Sequence, residues 1–129
     1  MSTLVAQTIS NGTVSTSSAN VIQGSAKAWV KFSYNGTTVT INGNYNFSSV
    51  TRNSTGRYTF TMTNALANAN YSVVTTQGLD PTNGTNIIPI LFWNGADATP
   101  TTSSFVVQFV APTTGGVFDP KVCGLVVNL

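Results

Sequence analysis

The chain reads as all-β: an antiparallel β-sandwich, jelly-roll-like or a partly closed barrel, carrying a short extended N-terminal arm. Three observations predict this. Short runs rich in Val, Ile, Thr and aromatic residues recur along the sequence, separated by clusters of Asn, Gly, Pro and Ser. Within several runs, apolar and polar residues alternate with the period of two that puts successive side chains on opposite faces of a strand. No stretch holds apolar residues at helical spacing over a useful length.

Residues 1–24 form the arm. Ser, Thr and Asn dominate, and Leu4, Val5, Ile9, Val14, Val21 and Ile22 are too sparse to close a core of their own. Such a segment gains order by pairing with another chain or docking on a larger particle, as an extended arm or thin β-stalk.

Residues 25–129 form the sandwich. In AKAWVKFS, Ala26, Ala28, Val30 and Phe32 share one face, while Lys27, Trp29 and Lys31 share the other. Trp29 is the odd residue on that polar face, placed either under the stems of Lys27 and Lys31 as a cation–π pair or against a neighbouring subunit. Asn35-Gly36 and Asn42-Gly43 flank the run TTVTI and predict two type I′ hairpins, whose central residues need positive φ. YNFSSVT leads through Asn53, Ser54, Thr55 and Gly56 into RYTFTMT, the clearest strand, where Tyr58, Phe60 and Met62 alternate with threonines. NALANAN is a short connector, since its asparagines favour caps and turns over a longer helix. YSVVTT, IIPILFW, SFVVQFV and VCGLVVN supply four more strands, and Pro89 assigns its strand to an edge or a bulge.

Composition narrows function. Only 6% of residues are charged, with no Glu, no His, and Asp80, Asp97 and Asp119 as the only side-chain acids. A surface of Thr, Ser and Asn has few long side chains to immobilise and few ions to desolvate, which suits packing against identical copies. The five cations, Lys27, Lys31, Arg52, Arg57 and Lys121, are too dispersed to neutralise a run of phosphates, so nucleic acid is not an expected partner. No run approaches the roughly 20 apolar residues that span a bilayer, so membrane insertion is not expected. MSTLVAQTIS has no basic start and no long apolar segment, so no signal peptide is expected either.

General acid–base chemistry lacks a histidine and a glutamate, and the three aspartates stand in separate loops. Zinc would need more than the single Cys123, which sits in an apolar run and reads as a small buried hydrophobe. The expectation is therefore no enzyme, no metal and no cofactor. Six Asn-x-Ser/Thr triplets, beginning at Asn11, Asn35, Asn46, Asn53, Asn70 and Asn83, are the chance product of a composition rich in those residues. The loops QGLDPTNGTN, NGADATPTTS and APTTGGVFDP hold all three acids and four of the five prolines. Within them Trp93, Asn94 and Asp97 form the candidate receptor patch, because an indole stacks on a sugar ring while short polar groups bond its hydroxyls.

The wording from Gly24 onward resembles virion structural proteins of tailed bacteriophages, the tail-fibre-like C-terminal β modules of marine phages and cyanophages. The resemblance rests on Ala-Lys-Ala-Trp-Val before an aromatic (Ala26 to Phe32), on Asn-Phe-Ser-Ser-Val-Thr (Asn46 to Thr51), and on Gly-Arg-Tyr-Thr (Gly56 to Thr59). Ala-Asn-Tyr-Ser-Val (Ala69 to Val73) and the closing Val-Cys-Gly-Leu-Val run add to it. It implies a place in the virion and a homotrimer, and supplies no catalytic residues. Two functions are then expected to compete. One is a short trimeric tail fibre or fibre tip, attached to other virion proteins through the arm and presenting its loops to a host-surface glycan or protein. The alternative is a capsid decoration protein whose arm clamps the shell.

Overall fold

The computed structural model describes residues 5–77, 88–91, 99–111 and 115–129. In the arm, β1 (Thr8–Ser10) and β2 (Ser15–Ser17) pair antiparallel, and α1 (Ser18–Gly24) comes next as a seven-residue helix. The arm thus has local structure of its own and is not uniformly extended. Asn11 Oδ1 accepts from Thr13 and Val14 N–H, and Gly12 takes φ +93°, which reverses the chain between the strands. Ser17 caps the helix by accepting from Asn20 N–H at 3.2 Å. A helix this short carries no repeat of apolar spacing, so periodicity in the sequence does not reveal it.

Eight strands form the sandwich. They are β3 (Ala28–Tyr34), β4 (Val39–Tyr45), β5 (Phe47–Ser54), β6 (Arg57–Met62), β7 (Ser72–Gln77), β8 (Ile88–Leu91), β9 (Ser104–Val110) and β10 (Val122–Asn128). One sheet has the order β4-β3-β10-β7 and the other β5-β6-β9-β8, all pairs antiparallel. The sheets remain separate, so the open sandwich is realised and the barrel is not closed. Pro89 lies on β8, an edge strand, where a missing N–H does not interrupt a central ladder.

Alternation puts the expected residues inside, except Ala26, which precedes β3 and is exposed. Ala28, Val30 and Phe32 of β3 and Cys123, Leu125 and Val127 of β10 face Tyr58, Phe60 and Met62 of β6 and Phe105, Val107 and Phe109 of β9, all buried. Phe32 is the hub between the layers, with ring centroids 5.4 Å from Tyr58, 5.6 Å from Phe60 and 6.3 Å from Phe109, tilted or edge-on as aromatic quadrupoles prefer. Phe47 and Val50 both face this core although three positions apart. A register shift between Phe47 and Ser49 inserts one extra residue and lets both side chains turn inward.

The asparagine turns differ from expectation. Asn35-Gly36 does close the β3–β4 hairpin, but Asn46 is the only non-glycine with positive φ among the described residues, so the turn is not type I′. Asn35 Oδ1 instead accepts from Thr37 N–H (2.9 Å) and Thr38 N–H (2.7 Å), and only Gly36, at φ +96°, takes the left-handed conformation. Asn42-Gly43 makes no turn at all. It lies within β4, where the register shifts opposite Lys31 and Phe32. The reversal comes later, at Asn46, the single residue between β4 and β5 and the point where the chain crosses from one sheet to the other. With φ +58° its side chain reaches back, donating to Lys27 O and Asn64 O at 3.2 Å each and accepting from Asn64 N–H at 2.8 Å. NALANAN forms a connector with no helix, and Leu66 within it packs against the core.

Candidate binding face

The outer face of the β4-β3-β10-β7 sheet is set by the same period that builds the core. With Ala28, Val30 and Phe32 inward, Trp29 and Lys31 point away, and the register aligns them with outward residues of the neighbouring strands. One row runs Tyr45, Trp29, Val126, Val74 across the four strands. Tyr45 and Val74 are each 57% exposed and Trp29 is 41% exposed. The next row runs Gly43, Lys31, Gly124, Thr76. Two of its four positions have no side chain, and the side chains of Trp29 and Thr76 lean over them.

The result is a trough of about 460 Å³ lined chiefly by Trp29, Lys31, Val74, Thr76, Gly124 and Val126. The Trp29 ring lies 3.5 Å from where a methyl group on Gly43 would sit, and Thr76 Oγ1 lies 2.5 Å from the equivalent point on Gly124. Both glycines are thus roofed by a neighbour's side chain, and neither adds bulk to the floor. Trp29 is not paired with Lys27 as a cation–π contact. Lys27 Nζ turns instead to Ile22 O and Ser25 Oγ, and the one cation–π contact among the described residues has Arg52 5.2 Å from the Tyr34 ring centroid. Among the described residues lining the trough Lys31 is the one ionisable group, and the Tyr45 phenol stands at the end of the apolar row. What the surface can do is bury apolar area and stack on planar groups.

The ionisable groups that do cluster are committed to structure. Asp119 Oδ1 accepts from Arg52 Nε (2.9 Å), Gly56 N–H (2.9 Å) and Tyr58 OH (2.8 Å), and Oδ2 accepts from Arg52 Nη2 (2.9 Å). Burial pushes Asp119 up, but the Arg52 bond, the Gly56 N–H and the Tyr58 hydroxyl together outweigh it and hold the carboxyl below its ordinary value. Burial, and then the bond to Asp119, raise the Tyr58 phenol. A carboxylate that accepts four hydrogen bonds is not poised to move a proton. It fastens the segment before β10 to the β5–β6 turn. Gly56 completes the clamp with φ +67°, its Cα so close to β9 that an added methyl group would lie 2.9 Å from both Phe109 O and Phe118 N.

The candidates read from the sequence fall in different places. Val5, Ile9, Val14, Val21 and Ile22 of the arm are all exposed, Val5 the most at 85%. Among the described residues, the side-chain hydrogen bonds that join α1 to the chain just past its C-terminus are those of Ser25 and Lys27. Leu4, and the proposed receptor patch Trp93, Asn94 and Asp97, lie outside the described residues, as does Asp80. No group of three or more potential metal ligands occurs among the described residues. The Trp29 face was only partly legible: the odd Trp in AKAWVKFS pointed to it, but the strand order that brings Val74, Val126 and Gly124 beside it is not written in any local pattern. Compared with family models, with curated proteins and with solved structures, the chain has no match in any of the three.

Proposed function

We propose that this chain is a non-enzymatic assembly and attachment module of a tailed-phage virion, working as a short trimeric tail fibre or fibre tip. The observation that supports assembly is the Tyr45–Trp29–Val126–Val74 row, a contiguous apolar strip on an outer sheet face that contains no lysine, arginine or acid. An exposed patch of this kind on a sandwich marks an interaction surface, because burying it desolvates few polar or charged groups. The arm, with its own exposed apolar residues, is the proposed link to other virion proteins. The loop carrying Trp93, Asn94 and Asp97 is proposed to meet a host-surface glycan or protein. The virion placement and the trimer rest on the sequence resemblance.

Two measurements test the proposal. Light scattering on the purified chain should give three times the monomer mass, and a stable monomer at all concentrations would overturn the assembly reading. Antibody or gold labelling of intact particles should mark the tail; label spread over the shell would replace the fibre by the decoration protein. Turnover of any substrate by pure protein, abolished by replacing one aspartate, would contradict the non-enzymatic assignment.

A further inference from the structure

The exposed large hydrophobic residues fall into two sets. Apart from Val117, every one among the described residues lies either on the arm (Val5, Ile9, Val14, Val21, Ile22) or on the outer sheet face (Trp29, Tyr45, Val74, Val122). Neither set covers the other within one chain: the arm's apolar residues and the trough are both open to solvent in the same structure. Leaving both sets wet forgoes the burial of their apolar surface.

Charge decides what can fill the trough. The trough lining includes one cation, Lys31, and the protein's net charge is +2. Stacking two copies face to face would place two Lys31 side chains in one interface, where like charges repel. Residues 1–24 contain no ionisable side chain at all. An arm segment laid in the trough therefore desolvates no charge of its own and leaves Lys31 at the rim with its stem against the apolar floor. Gly124, which lines the trough beside Lys31, adds no side chain of its own, and a volume of about 460 Å³ admits an aliphatic side chain from a narrow ribbon or a single helical turn.

We infer that the occupant of the Trp29 trough is the N-terminal arm of a second copy of this chain. The inference rests on the assembly reading given above and specifies its contact. Arm and trough are different patches, so the contact is heterologous. It closes either as a ring, a trimer included, or by reciprocal exchange between two copies.

Two differently tagged forms of the full chain, one carrying Val14→Cys or Val21→Cys and the other Val74→Cys, are co-expressed and oxidised. Native Cys123 is 1% exposed, and the tagged parent pair controls for it. Disulfides joining arm to face between differently tagged chains are the expected result. An oligomer that yields only Val74-to-Val74 links, or no link between arm and face, overturns the arm–trough contact while leaving assembly intact. A monomer at every concentration overturns both. As a second readout, V21K and V74K should each weaken self-association at least tenfold with unchanged far-UV circular dichroism, since both positions are exposed in the single chain. Unchanged association in either variant refutes the contact.

Discussion

Replacing Asn46 by alanine should unseat the corner where the chain leaves one sheet for the other. Asn46 holds φ +58°, which costs a residue with a Cβ about 1 kcal/mol and which asparagine tolerates better than alanine. Its side chain also makes three bonds to main chain: Nδ2 to Lys27 O, Nδ2 to Asn64 O, and Oδ1 from Asn64 N–H. The two at Asn64 are exposed and water replaces them in part, so each is worth about 0.5 kcal/mol, while the half-buried bond to Lys27 O is worth about 1. Asn46→Ala should therefore cost about 2 to 3 kcal/mol, since asparagine already bears part of the backbone cost, and Asn46→Gly, which relieves that part but loses the same bonds, about 1 to 2. At about 3 to 5 °C per kcal/mol for a chain of this size, Tm should fall by roughly 6 to 15 °C in the alanine variant. Urea unfolding followed by tryptophan fluorescence, at one fixed protein concentration, measures both variants. A cost under about 0.5 kcal/mol for Asn46→Ala, or a glycine variant as damaged as the alanine one, would refute the account of the corner.

Other consequences concern the clamp and the core. The carboxyl of Asp119 is held below its ordinary value of 3.8, so it stabilises the fold above that pH and the contribution is lost as pH falls through the lowered folded value. Wild type and Asp119→Asn should therefore differ in urea midpoint at pH 7, and the difference should shrink as pH falls below 3.8. Burial pushes the Cys123 thiol up to about 12 and the Tyr71 phenol likewise to about 12. Both favour the fold in their neutral forms, so midpoints should be flat up to pH about 9 and fall steadily as pH rises beyond it. The same burial should leave Cys123 unreactive toward a thiol reagent in native buffer and fully reactive in denaturant. Gly56→Ala places a methyl group against backbone on two sides at positive φ, and should cost about 3 kcal/mol or more by urea titration.

The strands were legible because burial writes itself into alternation. Ala28, Val30 and Phe32, and again Tyr58, Phe60 and Met62, keep a strict period of two and land inside as read. Phe47 and Val50 break that period, and only the register shift at Ser48 reconciles them. The Asn-Gly pairs misled for a related reason. The preference for type I′ turns is statistical, whereas Asn35 meets its turn through a side-chain acceptor, and Asn42-Gly43 is taken up in β4 by the register shift in its pairing with β3. Asn46, which does take the left-handed conformation, is followed by Phe and offers no such dipeptide. The binding face was hidden more deeply. It consists of residues from β3, β4, β7 and β10, brought into one row by pairings between segments far apart in sequence.

The placement of β10 has a consequence for how the molecule is made. Val122–Asn128 is threaded between β3 and β7, so the middle of the first sheet is supplied by residues translated almost a hundred positions after β3. Until they arrive, two apolar strands wait with naked inner edges, the state in which β-rich nascent chains cross-pair with their neighbours. Maturation should accordingly be slow and governed by non-local zippering. A chain cut short before Val122 should collect as aggregate, whatever the quality of its other sheet.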